Sequence, residues 1–178
     1  MPAQSPQVVD TLIFARWIIP VAPNCTPLIN HAIAIRNGEI CALLPAQDAE
    51  SIEAGEVLRL SNHVLMPGLI NAHGHAAMSL FRGMADDKPL HTWLNDHIWP
   101  AEGRWVDEAF VRDGCELAIA EMLRSGTTTF SDMYFFPEAA ATVIRKAGIR
   151  AQLYLTSPAP GVAAPTTICA RVSPCETS

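Results

Sequence analysis

The chain has 178 residues, 49% of them hydrophobic and 17% charged, which is enough apolar material for a core and too little charge for a disordered polymer. Its formal net charge of −6 argues against a nucleic-acid partner, because phosphate binding needs a basic face. Apolar stretches are interrupted, as in "TLIFARWIIPVAP" with Arg16 and Pro20, so neither a transmembrane helix nor a signal peptide is expected.

In chain order, residues 1–62 read as short strands. Val8 to Ala15 is β-rich. "HAIAIRNGEICALLP" places apolar runs on either side of Asn37-Gly38, a pair suited to a hairpin turn in which both residues take positive φ. Residues 56–66 read as further strand, so this part is a small β-sandwich or a strand layer. From Pro67 the pattern changes. Leu69 to His73 is a short apolar strand, and Leu90 to Trp99 and Asp107 to Arg124 are helical, with Gly126 as the C-terminal stop. "TTTFSDMYF" (127–135) is a strand, Pro137 opens a helix that ends before Gly148, and "IRAQLYLT" (149–156) is the next strand. This alternation calls for a parallel sheet with crossover helices. "SPAPGVAAPTTICARVSPCETS" (157–178) is proline-rich, has no amphipathic period and reads as a flexible tail.

Five cysteines, Cys25, Cys41, Cys115, Cys169 and Cys175, form no CxxC pair. They are expected to be free thiols in a reducing cytoplasm rather than metal ligands. Gly126 with Thr127 to Thr129 has neither the glycines nor the lysine of a phosphate loop. The chemistry points instead to His73 and His75. In a strand, residues i and i+2 share a face with Cα atoms about 6.5–7 Å apart. Two imidazoles at that spacing can converge on one ion at about 2.0–2.1 Å. At the C-terminal end of a parallel strand, the pair would sit where α/β folds place their chemistry.

"MPGLINAHGHAAMSLFRGMADDKPLHTWLNDHIWPAE" (66–102), "SGTTTFSDMYF" and "AGIRA" resemble the amidohydrolase superfamily. The similarity is greatest to the branch of 5-methylthioadenosine/S-adenosylhomocysteine deaminases and triazine hydrolases, and it covers about residues 8–155. The resemblance implies an α/β fold: the N-terminal part of a (β/α)8 metal-dependent hydrolase barrel, preceded by a small β-sandwich portion. Residues 1–62 would be the β-rich part of a composite β-sandwich domain, 63–156 the first three β/α units of the barrel, and 157–178 an atypical, disordered tail. It implies His73 and His75 as ligands of a divalent metal, zinc first, with iron and manganese as alternatives. Glu102, in "WPAE", would contact the ribose of a purine nucleoside. Read alone, Glu102 is a solvated carboxylate at a helix start. His31 and His63 read as structural or exposed, His91 and His97 flank a helix where they could line the pocket mouth, and Asp132 reads as a hydrogen-bonding group near a strand end. Met78, Phe81, Met84 and Trp93 suit either an apolar pocket or the core.

The implied reaction is hydrolytic deamination of a purine nucleoside, in which the metal activates water and a carboxylic acid moves protons. The family's remaining ligands, a further His and an Asp, and its HxxE proton shuttle come from later barrel strands. No histidine follows His97, and no residue here matches them. The expected catalytic residues within this chain are therefore none. The chain is expected to be inactive alone and prone to aggregate, and its abrupt tail fits a frameshift or premature stop in a longer gene. The alternatives are a non-catalytic chain that completes its fold with a complementary C-terminal polypeptide or a homologue, or an enzyme acting on a chlorotriazine, a guanine-like base or a hydantoin-like ring. The expected partners are a small-molecule purine nucleoside and either further copies of the chain or a complementary C-terminal chain, with no nucleic acid and no membrane.

Overall fold

The computed structural model describes residues 8–155. The chain falls into two compact units that divide between Pro67 and Gly68. The expected disordered tail, 157–178, lies outside the described residues.

The first unit is one sheet in the order β3-β2-β1-β4, built from β1 (Val8–Ile18), β2 (Leu28–Arg36), β3 (Glu39–Pro45) and β4 (Glu53–Leu65). β4 runs past residue 62, where the expected boundary lay. Asn37 and Gly38 turn the chain between β2 and β3 with φ of 54° and 75°. Those values suit a primed turn, whose twist matches that of the flanking strands. The Asp10 carboxylate accepts from the Asn37 N–H at 2.6 Å and ties the turn to β1. A single turn of helix, α1 (Ala46–Ala49), leads into β4, which pairs parallel with β1. A parallel partner cannot be reached by a tight hairpin, so a longer connection is required here. Ala32 and Ala34 pack with Val9, Leu12, Ala49 and Ile52, whereas Ile33 and Ile35 join Ala15, Ile18 and Leu65. The two-residue alternation of β2 thus feeds both faces of the sheet. Of the two sequence readings, the described residues show a strand layer rather than two facing sheets.

The second unit is a three-stranded parallel sheet in the order β5-β6-β7, formed by β5 (Leu69–Asn71), β6 (Thr127–Tyr134) and β7 (Arg150–Leu155). Between β5 and β6 lie a 3-10 turn (Ala76–Phe81), α2 (Leu90–Thr92), a π-helical turn (Trp93–Ile98), α3 (Trp99–Trp105) and α4 (Glu108–Arg124). α5 (Pro137–Ala147) connects β6 to β7. The helical stretch expected over Leu90 to Trp99 therefore continues to Trp105. α4 starts where the Asp107 carboxylate accepts from the Phe110 N–H at 2.8 Å, satisfying one of the unpaired first-turn donors. It stops at Ser125, and Gly126 takes φ of 87°.

The core of this unit joins Val111, Cys115 and Ile119, one stripe of α4, to Phe130 of β6 and Ile144 of α5. Gly114 lies against the 3-10 turn so closely that a Cβ would stand 2.5 Å from the Ala77 carbonyl oxygen. Only glycine permits this approach. Three parallel strands with crossover helices agree with the expected α/β class. Among the described residues, β5 and β7 are the edges of this sheet.

Candidate functional site

β5 is shorter than its sequence suggests. The Asn71 Oδ1 accepts from the His73 N–H at 3.3 Å, a local side-chain bond that turns the backbone out of the strand. His73 and His75 therefore lie in the loop after β5, not in the strand expected to reach His73. Strand geometry is not what brings them together. The turn does, with ring centroids 5.2 Å apart and planes at 83°. The loop is fastened to the end of β6, where the Met133 N–H donates to the Gly74 carbonyl at 3.2 Å.

His75 is half-buried, and its Nδ1 lies 2.7 Å from the Met133 carbonyl oxygen. A carbonyl only accepts, so Nδ1 carries a proton, and in the neutral ring the lone pair then lies on Nε2. This is the arrangement that orients an imidazole for a metal ion. His73 is exposed. Among the described residues, no group of three or more His, Cys, Asp or Glu side chains is placed to hold a metal. Asp132, 2% exposed, sits behind the loop, and its Oδ1 accepts from the Ala76 N–H at 2.8 Å. Burial raises its pKa above the ordinary 3.8, against the opposing pull of the Ala76 N–H, His75 and the Met133 N–H.

Glu102 is half-buried in the first turn of α3. The Tyr134 hydroxyl donates to its Oε1 at 2.9 Å. Tyr134 is 7% exposed. Burial, then the bond to Glu102, pushes its phenol above the usual 10.0, so it stays protonated and donates at any physiological pH.

His75, Glu102 and Tyr134 line one cleft of ≈ 360 Å³, with Met78, Trp93, Trp99, Met133 and Phe135 among its apolar walls. Two of the four suggested pocket residues, Met78 and Trp93, are there. Phe81 instead packs on Phe110 with ring centroids 4.8 Å apart, and Met84 is exposed. His91 and His97 are not among the lining residues. His31 is half-buried with Nδ1 2.8 Å from the Ile29 carbonyl oxygen, and His63 is exposed. The sequence reading missed Tyr134, Trp99 and Phe135. A signal for Tyr134 was available: Phe130, Asp132 and Tyr134 alternate along β6, and all three are buried.

Residues 64–171 match the model of the amidohydrolase family. The chain belongs to the amidohydrolase family. Among relatives of this amidohydrolase is the 5-methylthioadenosine/S-adenosylhomocysteine deaminase of Saccharophagus degradans, 59% identical over 145 residues that cover 81% of this chain and 32% of the relative. The 5'-deoxyadenosine deaminase of Methanosphaera stadtmanae is 48% identical over 61% of this chain and 25% of its own length. The crystal structure of an adenosine deaminase from Xanthomonas campestris with bound zinc superimposes with a TM-score of 0.80 at 45% identity, covering 83% of this chain and 34% of that one. The chain spans about a third or less of the length of these relatives. Among the described residues, no helix is long and apolar enough to cross a membrane.

Proposed function

We propose that this amidohydrolase chain carries the N-terminal part of a (β/α)8 aminohydrolase that deaminates a purine nucleoside of the 5-methylthioadenosine or S-adenosylhomocysteine kind. The relatives' names, the parallel β/α order and the outer sides of β5 and β7, open among the described residues, support this reading. His73 and His75 would hold the divalent metal, zinc first, as suits imidazole donors, and the free Nε2 of His75 fits that role. When bound, the metal supplies the activated water for hydrolysis.

The observation that carries the reading is one apolar cleft holding both His75 and Glu102. Glu102 accepts from ribose hydroxyls, since a carboxylate is an acceptor with several lone pairs. The Trp93 and Trp99 rings and the Met78 thioether give the base and a 5'-thioether apolar contacts. The remaining metal ligands and the proton shuttle are not among the described residues, so nucleoside binding without turnover is expected of the chain alone. Free Cys25, Cys41 and Cys115 suit a reducing cytoplasm.

Equilibrium dialysis of the 178-residue chain against 5-methylthioadenosine and against adenine tests the reading. Glu102→Ala should weaken nucleoside binding by about 10- to 100-fold, the worth of a hydrogen bond to a charged group, and leave adenine unaffected. Equal nucleoside binding by the two chains would sink it, and deamination by the chain alone would overturn the expectation of binding without turnover.

A further inference from the structure

We propose that Tyr134 is a positioning residue for Glu102: the bond from its hydroxyl to Oε1 fixes the carboxylate, and so sets the preference of the cleft for nucleosides over free bases. The inference rests on the reading of Glu102 as the ribose contact.

The two partners differ in stiffness. Glu102 is a flexible side chain on a seven-residue helix, and ordering such a side chain costs rotamer entropy. Tyr134 is an aromatic ring packed into the core, with only its χ1 and χ2 to order, on a strand that pairs with β5 up to Phe130 and with β7 through Tyr134. A stiff donor that meets a mobile carboxylate removes most of its alternative rotamers before any substrate arrives. With Oε1 held by the phenol, lone pairs on the second carboxylate oxygen remain for a ribose hydroxyl.

The position of Tyr134 gives the bond a second consequence. Three successive residues at the end of β6 each hold a group from another segment. Asp132 takes the Ala76 N–H, the Met133 carbonyl takes the His75 Nδ1–H, and the Tyr134 hydroxyl reaches Glu102. The first two fix the loop that carries His75, and the third fixes α3. The separation of His75 from Glu102, and so of the base end of the cleft from its ribose end, is therefore set through one strand. Preorganisation of this kind acts on binding of the whole nucleoside and leaves a free base, which does not reach Glu102, unaffected.

Tyr134→Phe keeps the ring and removes the hydroxyl. Dissociation constants for 5-methylthioadenosine and adenine, measured on the 178-residue chain, give the readout. The variant should bind the nucleoside about five- to tenfold more weakly and bind adenine as before. Added to Glu102→Ala, it should cause no further loss, because the two side chains act as one unit. A thermal melt run alongside records any loss of fold, which would lower both affinities together.

Equal weakening for nucleoside and base, additive losses in the double variant, or unchanged nucleoside affinity where Glu102→Ala alone is weakened, overturns the positioning role and leaves the ribose reading standing. If Glu102→Ala itself has no effect, or the unsubstituted chain binds no nucleoside, the reading of the site falls, and the role of Tyr134 falls with it.

Discussion

The two sheets of this chain use similar apolar residues but treat polar groups differently. In the first unit the strands run to 13 residues, and the buried side chains are apolar. In the second, the strands are parallel and end early, and β6 carries Thr127 and Asp132, the buried polar side chains among the described residues. The contrast follows from where the hydrogen-bond ladders stop. Long paired strands satisfy most of their own backbone, even across the register shifts at Ala15/Trp17 and Ala34/Ile35, so a buried carboxylate would find few donors there. At the C-terminal ends of β5 and β6, the N–H groups of Ala76 and Met133 have left the ladder and bond to Asp132 and Gly74.

Core truncation gives the sharpest test of this contrast. Phe130→Ala, at a site 1% exposed, should cost the second unit about 3–5 kcal/mol, and Leu12→Ala should cost the first about 2–5 kcal/mol. Hydrogen exchange resolved by peptide should show each loss in its own sheet. If Phe130→Ala leaves protection of β5, β6 and β7 unchanged, the core assigned to that unit is wrong.

A smaller effect is expected at the glycines of the second unit. Gly114→Ala drives a Cβ into the Ala77 backbone and should cost about 1–3 kcal/mol by denaturant unfolding. Gly103, in α3, has nothing within 4 Å of its would-be Cβ, so Gly103→Ala should gain up to about 1 kcal/mol. Opposite signs at these two helix glycines separate close packing from backbone entropy. Equal signs would remove the argument for contact between α4 and the 3-10 turn.

The least perturbing probe is the thiol of Cys115. Burial, with the nearby Asp132 charge second, pushes it up from 9.0 to about 12, whereas Cys25 and Cys41 are exposed. Iodoacetamide at pH 8 should alkylate Cys25 and Cys41 and spare Cys115 until the second unit opens, as peptide mapping can follow. The folded state holds the Cys115 proton more tightly than the unfolded state. Its contribution to stability is complete below pH 9 and is lost as the pH rises toward about 12. Cys115→Ala should flatten that decline. Rapid alkylation of Cys115 in the native chain would contradict its burial.

Much of the fold was legible in the sequence because the signals were local. Asn37-Gly38 specified a turn by its tolerance of positive φ, Gly126 and Gly148 marked helix ends, and Pro137 marked a helix start. The alternation of strands and helices from Leu69 onward implied parallel pairing. His73 and His75 stood out for their spacing, although the reason offered, a shared strand face, was not the one that unites them. A side-chain bond from Asn71 competes with the ladder, and a periodicity argument does not register it.

By itself, then, the sequence determined the order of elements, the turn positions and the residue types able to bind a metal. These depend on φ, ψ and periodicity over a few residues. Tertiary structure alone decided that Glu102 and Tyr134, 32 positions apart, share a hydrogen bond, and that the Met133 carbonyl sets the tautomer of His75 across 58 positions. Such pairings arise when a loop and a helix converge on the end of one strand. No local pattern encodes the distance between groups that meet only after the core around Phe130 has closed.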